Sequence, residues 1–371
     1  MTKGGGPIAL AAGGTGGHMF PAEALAQELK RRGHEILLIT DARGARYTDN
    51  FPADQQIELS ASSPSIGGVL AKIRAAFSIT GGLIKALKVL RENNVSAAIG
   101  FGGYPSFAGM KAASLLKIPY GVHEQNGVLG RANRQLANGS VFTAHAFPVL
   151  DKVPDKARDL LREVGNPLRD SVSTYIDTPY PALENDGPIR VVIFGGSQGA
   201  SLFSEVPPKV LASLPQELRQ RLEIIHQARE KEVAEVEAIY NSAGIKHTAA
   251  PFFHDLPEII AKAHLIVSRA GASAVTEISA IGRPSILVPL GIAMDDHQTG
   301  NAKVLSEAGG AVLLPESRFT KENLTEVMTS LLKDPATLSG MAIKARARVK
   351  EGAASTLADM VEAMMRDRTD Q

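Results

Sequence analysis

Short apolar runs that end in glycine punctuate both halves of the chain. Pro7 to Ala12 is apolar without alternation and too short for a helix, which predicts a buried strand. It ends in Gly13-Gly14-Thr15-Gly16-Gly17-His18, and the amphipathic stretch Pro21 to Arg32, closed by Gly33, predicts a helix. Half a chain later the plan repeats: Ile189 to Phe194 reads as a strand, Gly195-Gly196-Ser197-Gln198-Gly199-Ala200 as a turn, and a helical stretch follows. A third cluster, Gly100-Phe101-Gly102-Gly103-Tyr104, lies between the short strand Ser96 to Ile99 and the apolar helix Phe107 to Leu116. Further strands are predicted at Tyr120, Leu222 to His226, Leu265 to Ser268 and Ser285 to Val288, with helical patterns between them. Strands alternating with helices predict an α/β chain with doubly wound parallel sheets.

A chain of 371 residues is longer than one ordinary core needs. The stretch from Gly165 to Ile189 carries Pro167, Pro179, Pro181 and Pro188 with Asn185, Asp186 and Gly187, which is connector chemistry. Domains are therefore expected at 1–168 and 169–351, with a helical tail from Ser339 to Arg368 that could cap either one. In parallel sheets the glycine loops emerge together at the carboxyl ends of the strands, where open α/β sheets bind ligands. Glycine lets the backbone approach a ligand closely, and the N–H groups of the following helix start favour anions. The G-x-G-x-x-G nicotinamide fingerprint is absent as such, although Asp41 does end the second strand.

Hydrophobic residues make up 44% and charged residues 21%, a globular composition, and there is no cysteine. Disulfides and thiolate chemistry are thereby excluded, and a cytoplasmic setting is favoured. The apolar run near the N-terminus is too short for a signal segment or a membrane span, so neither is expected. The net charge of +1 conceals an asymmetry: residues 1–169 hold 20 Lys and Arg against 13 Asp and Glu, a balance of +7, and the remainder stands at −6. A basic half is expected to face an anionic partner such as a phospholipid surface or a diphosphate. Within it, Ile73, Phe77, Leu83, Ile84 and Leu87 alternate with Lys72, Arg74, Lys85, Lys88 and Arg91. Such a stripe is either ordinary core or an apolar and cationic face for an anionic membrane.

Chemistry-bearing side chains cluster where strands end. Glu277 stands one turn into the helix that follows Ser268-Arg269-Ala270-Gly271, where a carboxylate either holds two vicinal hydroxyls of a ribose or complements the helix N-terminus. Asp295, Asp296, His297 and Gln298 follow the strand ending at Val288, and His123, Glu124, Gln125 and Asn126 follow the one at Tyr120. Adjacent residues seldom chelate one ion and no D-x-D pattern stands here, so no metal site is expected. His18, in a glycine loop before a helix, is either structural or able to exchange a proton near neutral pH.

Jointly, GGTGGH at 13–18, GFGGYPS at 100–106, HEQNGVLG at 123–130, GNPLR at 165–169, GGSQGA at 195–200, RAGASAVTE at 269–277 and DHQTGNA at 296–302 resemble the MurG family over nearly the whole chain. That family adds N-acetylglucosamine (GlcNAc) to lipid I, the undecaprenyl-diphosphate-linked N-acetylmuramyl (MurNAc) pentapeptide, making lipid II. The resemblance implies a GT-B arrangement, two Rossmann-like domains facing each other over a cleft, with the terminal helix at about 352–371 returning to the first domain. It implies UDP-GlcNAc and lipid I as substrates, an anionic membrane surface as partner, no nucleic acid, no cofactor and no metal. The expected location is the cytoplasmic face of the plasma membrane, held peripherally. By motif position, Glu277 would bind the ribose, Ser197 and Arg169 the diphosphate, and the backbone at Phe253 the uracil. Gln298 and Asn126 would read the sugar, with Ala272, Ser273, Ala274, Val275 and Thr276 lining the nucleotide site. Thr15, Gly16 and Gly17 would complete the donor side. Tyr104, His123 and Glu124 would face the acceptor, and His18 would be the general base of a single inverting displacement. The rival readings are a soluble GT-B relative acting on UDP-GlcNAc, such as an epimerase or a transferase for a water-soluble acceptor, and a non-catalytic nucleotide-sugar sensor at the membrane.

Overall fold

The computed structural model describes residues 5–59, 69–184, 186–196, 201–291 and 296–369, and within these the side chains of all but 69–79 and 367–369. The chain forms two compact units, Met1–Asp170 with Lys350–Gln371, and Ser171–Val349.

The first unit is built on β1 (Ile8–Ala11), β2 (Ile36–Asp41), β3 (Gln55–Leu59), β4 (Ala97–Gly100), β5 (Tyr120–Glu124), β6 (Thr143–His145) and β7 (Leu161–Glu163). All pair in parallel, in the order β3-β2-β1-β4-β5-β6-β7. The central strands are apolar without alternation because both faces of the sheet are covered. Along β1, Ile8 and Leu10 enter a core with Met19, Leu25 and Leu29 of helix Gly16–Arg31. Ala9 and Ala11 enter the opposite core with Leu90 of helix Val69–Glu92 and Ala108 and Met110 of helix Gly103–Leu115.

The second unit repeats the design with β8 (Ile189–Phe194), β9 (Leu222–Gln227), β10 (Lys246–Ala250), β11 (Leu265–Arg269), β12 (Ser285–Val288) and β13 (Ala311–Leu313). Their order is β10-β9-β8-β11-β12-β13, again all parallel. Each sheet thus contains the doubly wound order 3-2-1-4-5-6, which reverses between its first and fourth strands and opens its ligand crevice there. Those strands are β1 and β4 in the first unit, β8 and β11 in the second, and all four lead into glycine motifs.

Two expectations are corrected. The first helix starts at Gly16, not Pro21, so Gly16, Gly17 and His18 form its opening turn and Pro21 lies inside it. Glycines read as punctuation, but the extended backbone of Thr15 at the N-cap already ends the loop. The tail is two helices, Pro335–Arg346 and Ala353–Thr369, parted beside Gly352, whose φ of +72° interrupts helical geometry. Leu357, Ala358, Val361 and Met364 of the last helix bury at helical spacing in the core of the first unit. Its flank is tied by ion pairs from Arg32 to Asp359 and Glu362, and Glu362 also meets His34 Nε2 at 2.8 Å.

Candidate active site

In the first unit the loops after β1 and β4 meet. The N–H groups of Gly16 and Gly17 precede the first bonds of their helix, which run from His18 N and Met19 N to Thr15 O at 3.1 and 3.2 Å. Thr15, Gly16 and Gly17 therefore present the positive end of that helix. His18 is half-buried, and its Nδ1 lies 2.8 Å from Gly13 O. A carbonyl only accepts, so Nδ1 carries a proton; in the neutral ring Nε2 then keeps the lone pair with which imidazole takes a proton from a substrate. The second loop closes over this ring. Gly102 has φ of +105°, and a β-carbon there would lie 2.9 Å from His18 Nε2. Tyr104 follows in the first turn of helix Gly103–Leu115, half-buried, with its phenol oxygen packed where helix Val69–Glu92 has Gly82.

His123 and Glu124, expected to face an acceptor, are turned inward. His123 is wholly buried in β5, its Nε2–H donates to Gly165 O at 2.9 Å and its Nδ1 accepts from Gln125 Nε2 at 3.1 Å. Glu124 is 3% exposed. Its carboxylate accepts from Asn126 N at 3.1 Å, Asn126 Nδ2 at 2.9 Å, Gly130 N at 2.9 Å and Asn133 Nδ2 at 3.0 Å, which fills its lone-pair sites. Both side chains support neighbouring motifs: Glu124 shapes the loop of Asn126, and His123 anchors Gly165, from which the GNPLR segment runs to Arg169. Arg169 stacks over Phe20 at 3.7 Å, on the helix that carries His18.

Burial pushes the His123 imidazole down to about 4, with the neighbouring His145 acting in the same direction. Free imidazole takes its proton near 6.5, so between these values the unfolded chain binds a proton that the folded chain refuses. This site's contribution to stability is therefore complete above about pH 6.5 and is lost as pH falls toward 4. Denaturant unfolding is expected to show a lower midpoint at pH 5 than at pH 7, with a smaller difference in His123→Gln.

In the second unit helix Ala272–Ile281 starts at the end of β11, with no acidic residue in its first turn. Ser273 Oγ is buried without a hydrogen-bond partner among the described residues, and Thr276 Oγ1 donates to Ala272 O at 2.8 Å. Ala274 is half-buried, whereas Val275 is 1% exposed and packs inward, so only its backbone can meet a ligand. Glu277 is 7% exposed on the same helix. Gln298 Oε1 accepts from Leu290 N at 3.0 Å, and Asn301 Nδ2 donates to Ala270 O at 3.1 Å, which joins DHQTGNA to RAGASAVTE. Phe253 is half-buried after β10. Ser197 and Asp295 lie outside the described residues.

Sequence reasoning missed Glu316. Arg269 of RAGASAVTE donates to both its carboxylate oxygens, at 3.1 and 3.3 Å, and Gly291 N–H donates at 2.7 Å. Against the effect of burial, these bonds hold the Glu316 carboxyl below the usual carboxylate range. The loop after β12 is thereby tied to β11. No spacing rule signals a partner 47 residues away.

Leu83 and Leu87 are half-buried against the core, while Ile84 is 61% exposed beside exposed Lys85, Lys88 and Arg91. The side chains of Ile73 and Phe77 lie outside the described residues. Among the described residues no helix is long and apolar enough to cross a membrane, and no group of three His, Asp or Glu could hold a metal ion.

Residues 8–140 match the glycosyltransferase family 28 N-terminal domain and residues 190–357 the family 28 C-terminal domain. A Rhodospirillum centenum protein named UDP-N-acetylglucosamine--N-acetylmuramyl-(pentapeptide) pyrophosphoryl-undecaprenol N-acetylglucosamine transferase is 45% identical over 355 residues, covering 96% of this chain and 93% of that protein. A Caulobacter vibrioides protein of the same name is 43% identical over 353 residues, covering 95% and 97%. The crystal structure of Acinetobacter baumannii MurG superposes with a TM-score of 0.77 at 30% identity, covering 96% of this chain and 99% of that one. A UDP-GlcNAc 2-epimerase from Neisseria meningitidis, at a TM-score of 0.66 and 15% identity over 95% and 98% of the two chains, shares the fold alone. Two doubly wound units with family 28 domains define a glycosyltransferase of GT-B type. The chain belongs to the MurG family of these enzymes.

Proposed function

We propose that the protein transfers GlcNAc from UDP-GlcNAc to the 4-hydroxyl of MurNAc in lipid I, inverting the anomeric carbon and forming lipid II for peptidoglycan. The observation that carries the chemistry is the His18 ring, fixed by Gly13 O with Nε2 as the acceptor. The acceptor hydroxyl gives its proton to Nε2 while its oxygen bonds to the anomeric carbon from the face opposite UDP. The bond from that carbon to the diphosphate breaks, and UDP leaves with the electron pair. Arg169, Ser197 and the N–H groups at Thr15, Gly16 and Gly17 stabilise the charge that develops.

Glu277 holds the ribose hydroxyls, with Ser273 and the start of helix Ala272–Ile281 beside the nucleotide and the Phe253 backbone at the uracil. Gln298 and Asn126 read the GlcNAc, and Tyr104 lines the acceptor side. The acceptor's lipid places the enzyme at the cytoplasmic face of the plasma membrane, held peripherally. Ile84 with Lys85, Lys88 and Arg91 supplies an apolar and cationic face of the kind that suits an anionic surface. The test is transfer of labelled GlcNAc from UDP to a short-chain lipid I analogue in the presence of chelator. Labelled disaccharide product is expected; tight UDP-GlcNAc binding without transfer would point to an epimerase or a sensor instead.

A further inference from the structure

Asp41 closes β2 and is 1% exposed, yet no step of the proposed reaction uses it. A carboxylate near this place in a doubly wound sheet commonly binds the ribose of a dinucleotide. Here it is turned to the first glycine loop. Asp41 Oδ1 accepts from Gly14 N at 3.0 Å and from Gly44 N at 2.8 Å. Its Oδ2 is buried without a hydrogen bond among the described residues, and the Arg43 guanidinium stands 3.6 Å away.

The Gly14 N–H and the Gly13 carbonyl are the two ends of one peptide group, which is planar and trans, so they point in opposite directions. Asp41 holds the N–H end. The carbonyl end takes the proton-bearing Nδ1 of His18 at 2.8 Å. A carboxylate on one end of a peptide also polarises it, which strengthens the carbonyl as an acceptor. The peptide has no side chain of its own to fix it: both flanking residues are glycine, and Gly14 has φ of +86°. The surroundings leave a narrow seat. A β-carbon on Gly13 would lie 2.6 Å from Pro105 Cγ and 3.0 Å from Asp41 Cγ, and one on Gly103 would lie 2.9 Å from Gly13 O.

We infer that Asp41 is a positioning residue for the transfer: through the Gly13–Gly14 peptide it fixes the tautomer and direction of the His18 ring. The inference rests on the reading of His18 as the base. With Asp41 in place, Nε2 is the nitrogen that lacks a proton; without it, the peptide plane turns and both tautomers become populated.

The test compares Asp41→Ala and Asp41→Asn in the full-length enzyme, each alone and combined with His18→Ala, by kcat and KM for UDP-GlcNAc and by thermal unfolding. Asp41→Ala is expected to lower kcat on the order of 10- to 100-fold with little change in KM, the scale of a misplaced reacting group. Asp41→Asn keeps an oxygen acceptor for the same N–H groups and is expected to recover most of the loss. In the His18→Ala background neither change should lower the residual rate further, because there is no ring left to place. Wild-type turnover in Asp41→Ala, or an equal loss in both backgrounds, would overturn the inference and leave Asp41 a merely structural cap. If Asp41→Ala does not fold, the same comparison is made with Asp41→Asn, whose smaller residual loss of kcat should appear only where His18 is present. Wild-type turnover in His18→Ala would remove the base assignment itself, and with it the ring that Asp41 is inferred to place. A rate lost on His18→Ala but unaffected by either Asp41 change removes the positioning alone.

Discussion

His18→Ala is expected to lower kcat for GlcNAc transfer by about 10²- to 10⁴-fold, the range in which a positioned general base acts. KM for UDP-GlcNAc should change little, because the ring is assigned to the attacking hydroxyl. His18→Gln keeps a donor for Gly13 O but has no basic nitrogen, so it should be as slow as the alanine variant. Steady-state rates with a saturating lipid I analogue check this. A variant that keeps kcat but loses acceptor affinity would make His18 a binding group instead of a base.

Glu277→Ala should act on the other substrate. Hydrogen bonds to a charged group contribute about 1.5–3 kcal/mol each, and two vicinal hydroxyls on one carboxylate make the loss additive to first order. The Kd of UDP-GlcNAc is expected to rise by about 10²-fold or more, while a saturated enzyme turns over nearly as fast. Glu277→Gln, which keeps one oxygen, should fall between. Titration calorimetry with UDP and with uridine separates the ribose contribution from that of the diphosphate: the loss should be the same for both ligands. Unchanged affinity would assign Glu277 to the support of helix Ala272–Ile281 alone.

The two-unit α/β design was legible because the central strands carry it. IALA at β1, VVIF within β8 and LIV at the start of β11 are apolar runs that lead into glycine-rich turns, as strands covered on both faces should be. The edges were not legible. QQIEL at β3 and KHTAA at β10 are polar, half-exposed strands, and β6, β7 and β13 are three residues each, too short for any period to register. Composition alone did not mark the break within the helical tail: Ala, Lys, Arg and Met favour helix on both sides of Gly352, and a single glycine is weak evidence of a break.

At the site, motif reading singled out His18, Glu277 and Arg169 together with their neighbours, but a motif does not separate a side chain turned outward from one turned into the interior. His123 and Glu124 stand in the same motif as Asn126, yet the strand takes them into the interior, where every polar atom of the Glu124 carboxylate is bonded. Asp41 and Glu316 carry the reverse lesson. Their partners lie 27 and 47 residues away in sequence, so only the fold brings them to the glycine loop and to Arg269.

Direct displacement at the anomeric carbon is tested most directly by the linkage formed in the first turnover. UDP-GlcNAc carries its sugar in the α configuration, and the product disaccharide can be read by the proton coupling between C1 and C2 of GlcNAc. Attack by the MurNAc 4-hydroxyl with proton transfer to His18 predicts a β-linked sugar on C4 and no GlcNAc adduct in the mass of the protein. An α linkage, or a sugar covalently held by the enzyme during turnover, would contradict it.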